Sequence, residues 1–308
     1  MGNVARIGAL ALLTGSIAGV APAGTASASV ERRVTVASGV VLRVVESGKA
    51  NSKPSLVFIP GWSAGADIWQ SQLDHFDDTY RVIAFDPRSQ GDSTKTMSGN
   101  TPEQRAADLH ALLAARKVSR PVLIGWSQAA QDIAAYASLY GTHDIAGIVL
   151  VDAAISEGAK AIAARPQQAA TQFSRLAIYV ADQEAYLHGM FGAIISKPQP
   201  SGIVDRAVAT AMKTPPSIGI AMLVADIFGV DRTPALTKID CPVLIVASAE
   251  SEELSAQRAE ANAIKNARFV AIDDAAHAVF LDQPGRFEAV LADFAAGLKA
   301  PSPASSGD

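Results

Sequence analysis

Several apolar runs in this chain pass through without a polar interruption, among them Val122-Leu123-Ile124, Ile148-Val149-Leu150-Val151 and Val243-Leu244-Ile245-Val246. A strand with one wet face alternates polar and apolar residues. A strand covered on both faces does not, and such strands belong to parallel sheets flanked by helices. Eight stretches read as strands: residues 33–36, 41–46, 56–59, 81–85, 122–124, 145–151, 243–247 and 268–272. Helical periodicity fills residues 102–115, 128–139, 255–265 and 285–298. This alternation predicts an α/β fold, a doubly wound, mostly parallel eight-stranded sheet with its ligands at the carboxyl ends of the strands. One interval is too long for a crossover. Residues 153–234 are mostly helical in pattern, broken at Pro198-Gln199-Pro200 and Pro215-Pro216. A structureless loop of that length does not suit a compact domain. The interval is therefore expected to be a helical cap inserted into a core formed by residues 29–152 and 235–300, with Met190, Phe191, Ile194, Ile195, Met212, Met222, Leu223 and Phe228 as cap core.

The run ending at Ile124 continues as Gly125-Trp126-Ser127-Gln128-Ala129-Ala130 and then becomes helical. A serine on so sharp a strand-to-helix turn is pushed out of the sheet, and the free N–H groups of the new helix point back toward it. Residues two before and two after the serine must be small, because a larger side chain collides across the turn. Gly125 and Ala129 meet that need, which makes Ser127 a candidate nucleophile.

A serine hydroxyl is a poor nucleophile until a base takes its proton. Of the five histidines, His75 and His110 fall in surface-like helical patterns, His143 in a turn and His188 in the cap. His277 follows the last predicted strand and precedes the last helix, at the sheet edge where Ser127 is expected. The base needs a carboxylate to hold its ring. Asp152 ends the strand after the serine helix, and Glu250 follows the next strand. Asp152 is preferred because it ends its strand abruptly and is short enough to be held rigidly, with Glu250 the alternative. Two amides would face the developing oxyanion: that of Gln128, and that of Trp62 in Pro60-Gly61-Trp62-Ser63-Ala64-Gly65, where Gly61 lets the backbone turn.

Composition narrows the rest. The formal net charge of −4 and the lack of a basic run argue against a nucleic-acid partner. Cys241 is the single cysteine, so no internal disulfide is possible. No set of His, Cys, Asp and Glu has metal-ligand spacing, and no G-x-G-x-x-G follows a strand, so neither a metal nor a dinucleotide cofactor is expected. Arg6, an apolar stretch over residues 7–20 and Ala26-Ser27-Ala28 read as a cleavable signal peptide, 1–28. Its apolar core is too short and too rich in Gly and Ser for stable membrane insertion. The expected product is a secreted or periplasmic protein of 280 residues, with a frayed tail over 301–308.

Taken together, the motifs resemble the α/β-hydrolase superfamily over nearly all of the mature chain. Pro60-Gly61-Trp62 is similar to its His-Gly oxyanion loop, and Asp86-Pro87-Arg88-Ser89-Gln90-Gly91-Asp92-Ser93 to its D-x-R-x-x-G-x-S turn. Gly125-Trp126-Ser127-Gln128-Ala129 resembles the nucleophile elbow, and residues 276–284 the G-H-x-x-x-x-E-x-P segment around the base. Within the superfamily the likeness is to capped esterases and cofactor-free haloperoxidase-like hydrolases. Pro60 departs from the usual histidine and Ala129 from glycine, and Ser251 stands where most members carry the acid. The resemblance implies a serine hydrolase of carboxylic esters or lactones, with an apolar small-molecule substrate. The same triad would serve a perhydrolase. A low-turnover ligand-binding sensor is the alternative from another class, and the Ser127–His277 pair argues against it.

Overall fold

The computed structural model describes residues 29–298 other than Ser201. The expected signal peptide and C-terminal tail lie outside the described residues. Eight strands form one sheet: β1 (Val30–Ala37), β2 (Val40–Ser47), β3 (Leu56–Ile59), β4 (Val82–Phe85), β5 (Val122–Trp126), β6 (Gly147–Val151), β7 (Val243–Ser248) and β8 (Ala267–Ile272). Their spatial order is β1-β2-β4-β3-β5-β6-β7-β8. The β1–β2 and β2–β4 pairs are antiparallel, and every later pair is parallel.

The helices before the serine strand are α1 (Gln70–Phe76) and α2 (Pro102–Ala115), and α3 (Ala129–Tyr140) follows it. Between β6 and β7 come α4 (Ala159–Ala164), α5 (Pro166–Ala181), α6 (Gln183–Ile194), α7 (Ile203–Ala211) and α8 (Pro216–Ile227). The chain ends with α9 (Leu254–Ala263), the single turn α10 (Val279–Asp282) and α11 (Pro284–Ala296).

Successive strand residues face opposite sides, so one strand feeds two cores. Val122 and Ile124 join Val149, Val151, Leu244 and Val246 in a core shared with Leu73 of α1 and Phe287 and Leu291 of α11. Leu123 joins Ile148, Leu150, Val243 and Ile245 in a second core, shared with Leu109 of α2, Ile133 of α3 and nearby Ile264. This two-sided burial explains the uninterrupted apolar runs.

The structure alters some boundaries. Ile145 and Ala146 precede β6, because the Ile145 amide turns back to the Thr142 carbonyl. Helix α1 had no clear sequence signal; it is two turns long and buries only Gln72, Leu73 and Phe76. Of the residues expected in a cap core, Phe191 and Met222 are fully buried, whereas Met212 is 39% exposed. Met212 sits at the end of α7, just before the Thr214-Pro215-Pro216 turn, so one side of it is open.

The inserted helices rest on the strand-end loops. Trp62 Nε1 donates to the Gly219 carbonyl of α8 at 2.8 Å, and its ring packs edge-on against Tyr179 and Tyr186. Buried Arg105 of α2 pairs with Asp132 of α3 at 2.8 Å and with Asp226 of α8 at 2.6 Å, joining insertion to core. No single described helix is long and apolar enough to cross a membrane.

Candidate active site

β5 and β6 run in register, with Trp126 opposite Val151. Ser127 and Asp152 are therefore the next residues of adjacent strands. Both leave the sheet in the left-handed backbone region, at φ +58° and +46°. Non-glycine residues rarely adopt this conformation, and it is held only where surrounding structure dictates it. Here the sheet does so: the Ser127 amide bonds the Val151 carbonyl at 3.1 Å, and the Asp152 amide bonds the Val246 carbonyl at 2.8 Å. The need for small neighbours is visible in the packing. A Cβ on Gly125 would lie 2.6 Å from Ile133 Cδ1 and 3.2 Å from Ala129 Cβ. One on Gly61 would lie 2.9 Å from Ser127 Cβ, which places the Pro60–Gly65 loop directly against the serine.

His277 arrives from the loop after β8. Its Nδ1 lies 2.8 Å from Asp152 Oδ2, and Asp152 is 2% exposed. The ring packs 5.4 Å from that of Trp126, the residue before the serine, and Trp126 Nε1 donates to the His277 carbonyl at 3.0 Å. The loop is anchored on each side. Ser248 Oγ donates to the Ala275 carbonyl at 2.6 Å, and the Ala278 amide bonds the Ile194 carbonyl of α6. Asp282 accepts from the Ala276 amide at 2.7 Å and from the Ser196 and Lys197 amides. No hydrogen bond joins the Ser127 hydroxyl to His277, a contact that tightens in many hydrolytic sites only when substrate is bound.

Glu250 is exposed, and its side chain does not take part in this arrangement. The other histidines are engaged elsewhere or face solvent. His75 pairs with Glu288, His110 stacks on Tyr140, His143 meets Asp144, and His188 is exposed on α6. Among the described residues, no protein acceptor takes the Trp62 or the Gln128 amide. The Trp62 loop is braced by buried Gln90, whose Oε1 accepts from the Ser63 amide at 2.6 Å. Gln90 belongs to a turn locked by Asp86, which accepts from the Ala66 and Asp92 amides at 2.7 Å each. Arg88 in the same turn forms a two-point pair with Asp108 at 2.7 and 2.6 Å. Cys241 is buried, which pushes its thiol up to about 11. No three His, Cys, Asp or Glu side chains among the described residues converge to hold a metal ion.

Sequence reasoning missed the supports of the loop that follows Asp152. Gln131 of α3 donates to the Ala154 carbonyl and accepts from the Ser156 amide, both at 2.9 Å. From the other side, Glu253 accepts from the Ala154 amide at 3.0 Å and Glu260 from the Ile155 amide at 2.6 Å. Polar residues at these helical spacings read as a solvated face, and only the packing of α9 shows otherwise. Burial pushes the Glu260 carboxyl up to about 8. Because the folded form holds that proton well above the ordinary glutamate range, the stability it allows is complete below about 4.5 and declines as pH rises through 8. Glu260→Gln removes the titration. Thermal melts should match wild type near pH 5 and exceed it by about 10 °C at pH 9.

The fold and its strand-end residues define an α/β hydrolase. The chain belongs to the family described as alpha/beta hydrolase fold, which matches residues 54–284. It is 30% identical over 121 residues to the bifunctional esterase/perhydrolase DCH of Acinetobacter calcoaceticus, covering 39% of this chain and 44% of that protein. It is 35% identical over 99 residues to the non-heme chloroperoxidase CPO-A1 of Kitasatospora aureofaciens, covering 32% and 36%. The chain thus spans less than half the length of these curated relatives. Among solved structures it resembles a bromoperoxidase from Bacillus anthracis, with a TM-score of 0.76, 20% identity and coverage of 86% and 99%. An esterase from Exiguobacterium antarcticum gives 0.75, 18%, 86% and 99%. Likenesses at that identity establish the shared fold.

Proposed function

We propose that this protein hydrolyses carboxylic esters, lactones included, through an acyl-enzyme on Ser127. The observation that carries the reading is the 2.8 Å contact between His277 Nδ1 and buried Asp152, on the strand edge where Ser127 is held in its left-handed turn. In the first step His277 Nε2 takes the Ser127 proton while Oγ attacks the acyl carbon. The carbonyl oxygen gains the charge and meets the Trp62 and Gln128 amides; losing one donor in such a pair costs about 10²–10³ in rate. His277 then passes its proton to the departing alcohol. Water repeats the sequence, releasing the acid and restoring the serine. Asp152 stabilises the imidazolium in both halves.

The apolar residues of the inserted helices favour a substrate with an apolar acyl or alcohol group. The N-terminal segment suits export, which would place this activity outside the cytoplasm. A second reading uses the same acyl-enzyme with hydrogen peroxide in place of water, giving a peracid and free serine; the similarity to an esterase/perhydrolase supports it.

The test is a chain-length series of chromogenic esters with several lactones, followed by an alkyl phosphonate. Turnover should exceed enzyme many-fold, and the phosphonate should stop it by labelling the peptide that contains Ser127. Product that ceases near one equivalent would make the protein a binder rather than an enzyme. Peroxide titrated into the same assay should divert acyl groups to peracid if the second reading holds.

A further inference from the structure

Asp152 has two carboxylate oxygens, and His277 occupies only Oδ2. Oδ1 accepts from the Ser248 amide at 2.9 Å and from Gln257 Nε2 at 3.2 Å. Gln257 lies on α9, is fully buried, and its Nε2 also reaches Ser251 Oγ at 3.1 Å. Its Oε1 is buried without a partner. A buried amide left half unpaired is costly, and a helix position that merely fills space would carry an apolar side chain. The amide cannot be turned around, because its oxygen would then face a carboxylate. Gln257 therefore sits where only its NH₂ donors are used, one on Asp152 Oδ1 and one on Ser251 Oγ.

We propose that Gln257 is a positioning residue for the catalytic acid, holding the second oxygen of Asp152 so that the first stays directed at His277. This rests on the Ser127–His277–Asp152 reading. The donor favours the ionised carboxylate, and it ties the acid loop to α9 and to the β7–α9 loop together. The charged groups facing this assembly are Glu253, the residue before α9, and Glu260 of α9, with Arg165, the residue before α5, acting on Glu253.

Two variants test it. Gln257→Met keeps the volume and removes the donor. Gln257→Glu keeps the shape and sets a second carboxyl against Asp152. With a chromogenic ester, Gln257→Met should lower kcat about 10-fold and leave KM within about two-fold, since the loss falls on the chemical step. The acidic limb of kcat/KM should move to higher pH in both variants, because a less stabilised or crowded carboxylate holds the coupled proton more tightly. The shift should be larger in Gln257→Glu, about one pH unit. NMR titration of the His277 imidazole should show the same displacement without turnover, so a variant with a reduced folded fraction still reports. A packing role alone would lower activity and leave both titrations in place. Unchanged titrations in both variants, with Asp152→Asn inactive, overturn the inference about Gln257. Full activity in Asp152→Asn instead overturns the catalytic reading beneath it.

Discussion

Ser127→Ala should lower kcat for a chromogenic ester by about 10⁴–10⁶, with His277→Ala close behind and the double variant little worse than either. The three losses coincide because in the proposed mechanism nucleophile and base act as one unit: without the base the hydroxyl keeps its proton, and without the hydroxyl the base has nothing to activate. The fold should survive the serine change. The hydroxyl makes no hydrogen bond among the described residues, and alanine brings the same Cβ to a turn already held at φ +58°. Urea denaturation should place the variant within about 0.5 kcal/mol of wild type, as for substitutions that break no packing or polar network. More than a tenth of the original activity in a folded Ser127→Ala protein would rule out the acyl-enzyme.

Asp152→Asn should lower kcat by about 10⁴, the scale expected when a triad base is held in the wrong tautomer. The Ser248 amide and Gln257 Nε2 both need an acceptor, so the asparagine oxygen must stay on their side. Its NH₂ group then faces His277 Nδ1 and obliges that nitrogen to accept. The ring proton moves to Nε2, the atom that takes the serine proton in the proposed mechanism. Glu250→Gln should leave kcat within about two-fold, because Glu250 is exposed and the carboxylate on the imidazole is that of Asp152. One ester assayed with both variants decides between the carboxylates, and the reverse ranking would transfer the role to Glu250.

How far each feature could be read in advance depends on how local its cause is. The sheet was legible because burial on both faces is written into every parallel strand, as the paired cores around Leu123 and Ile124 show. The serine turn was legible because its steric demand falls within five residues, Gly125 to Ala129. The boundaries of β6 and the existence of α1 were not. Each hinges on one turn or three buried side chains, too few to leave a periodic pattern.

Sequence alone determined the class of fold and the turn that exposes Ser127, since both follow from backbone sterics and from apolar residues excluded from water over short spans. Tertiary structure alone decided which carboxylate meets His277, 125 residues away along the chain, and that Gln257 stands behind it. Those choices depend on the register of β5, β6 and β7 and on the face α9 turns inward. A hydrogen bond between distant segments is set by that packing and has no counterpart in the residues that flank either partner.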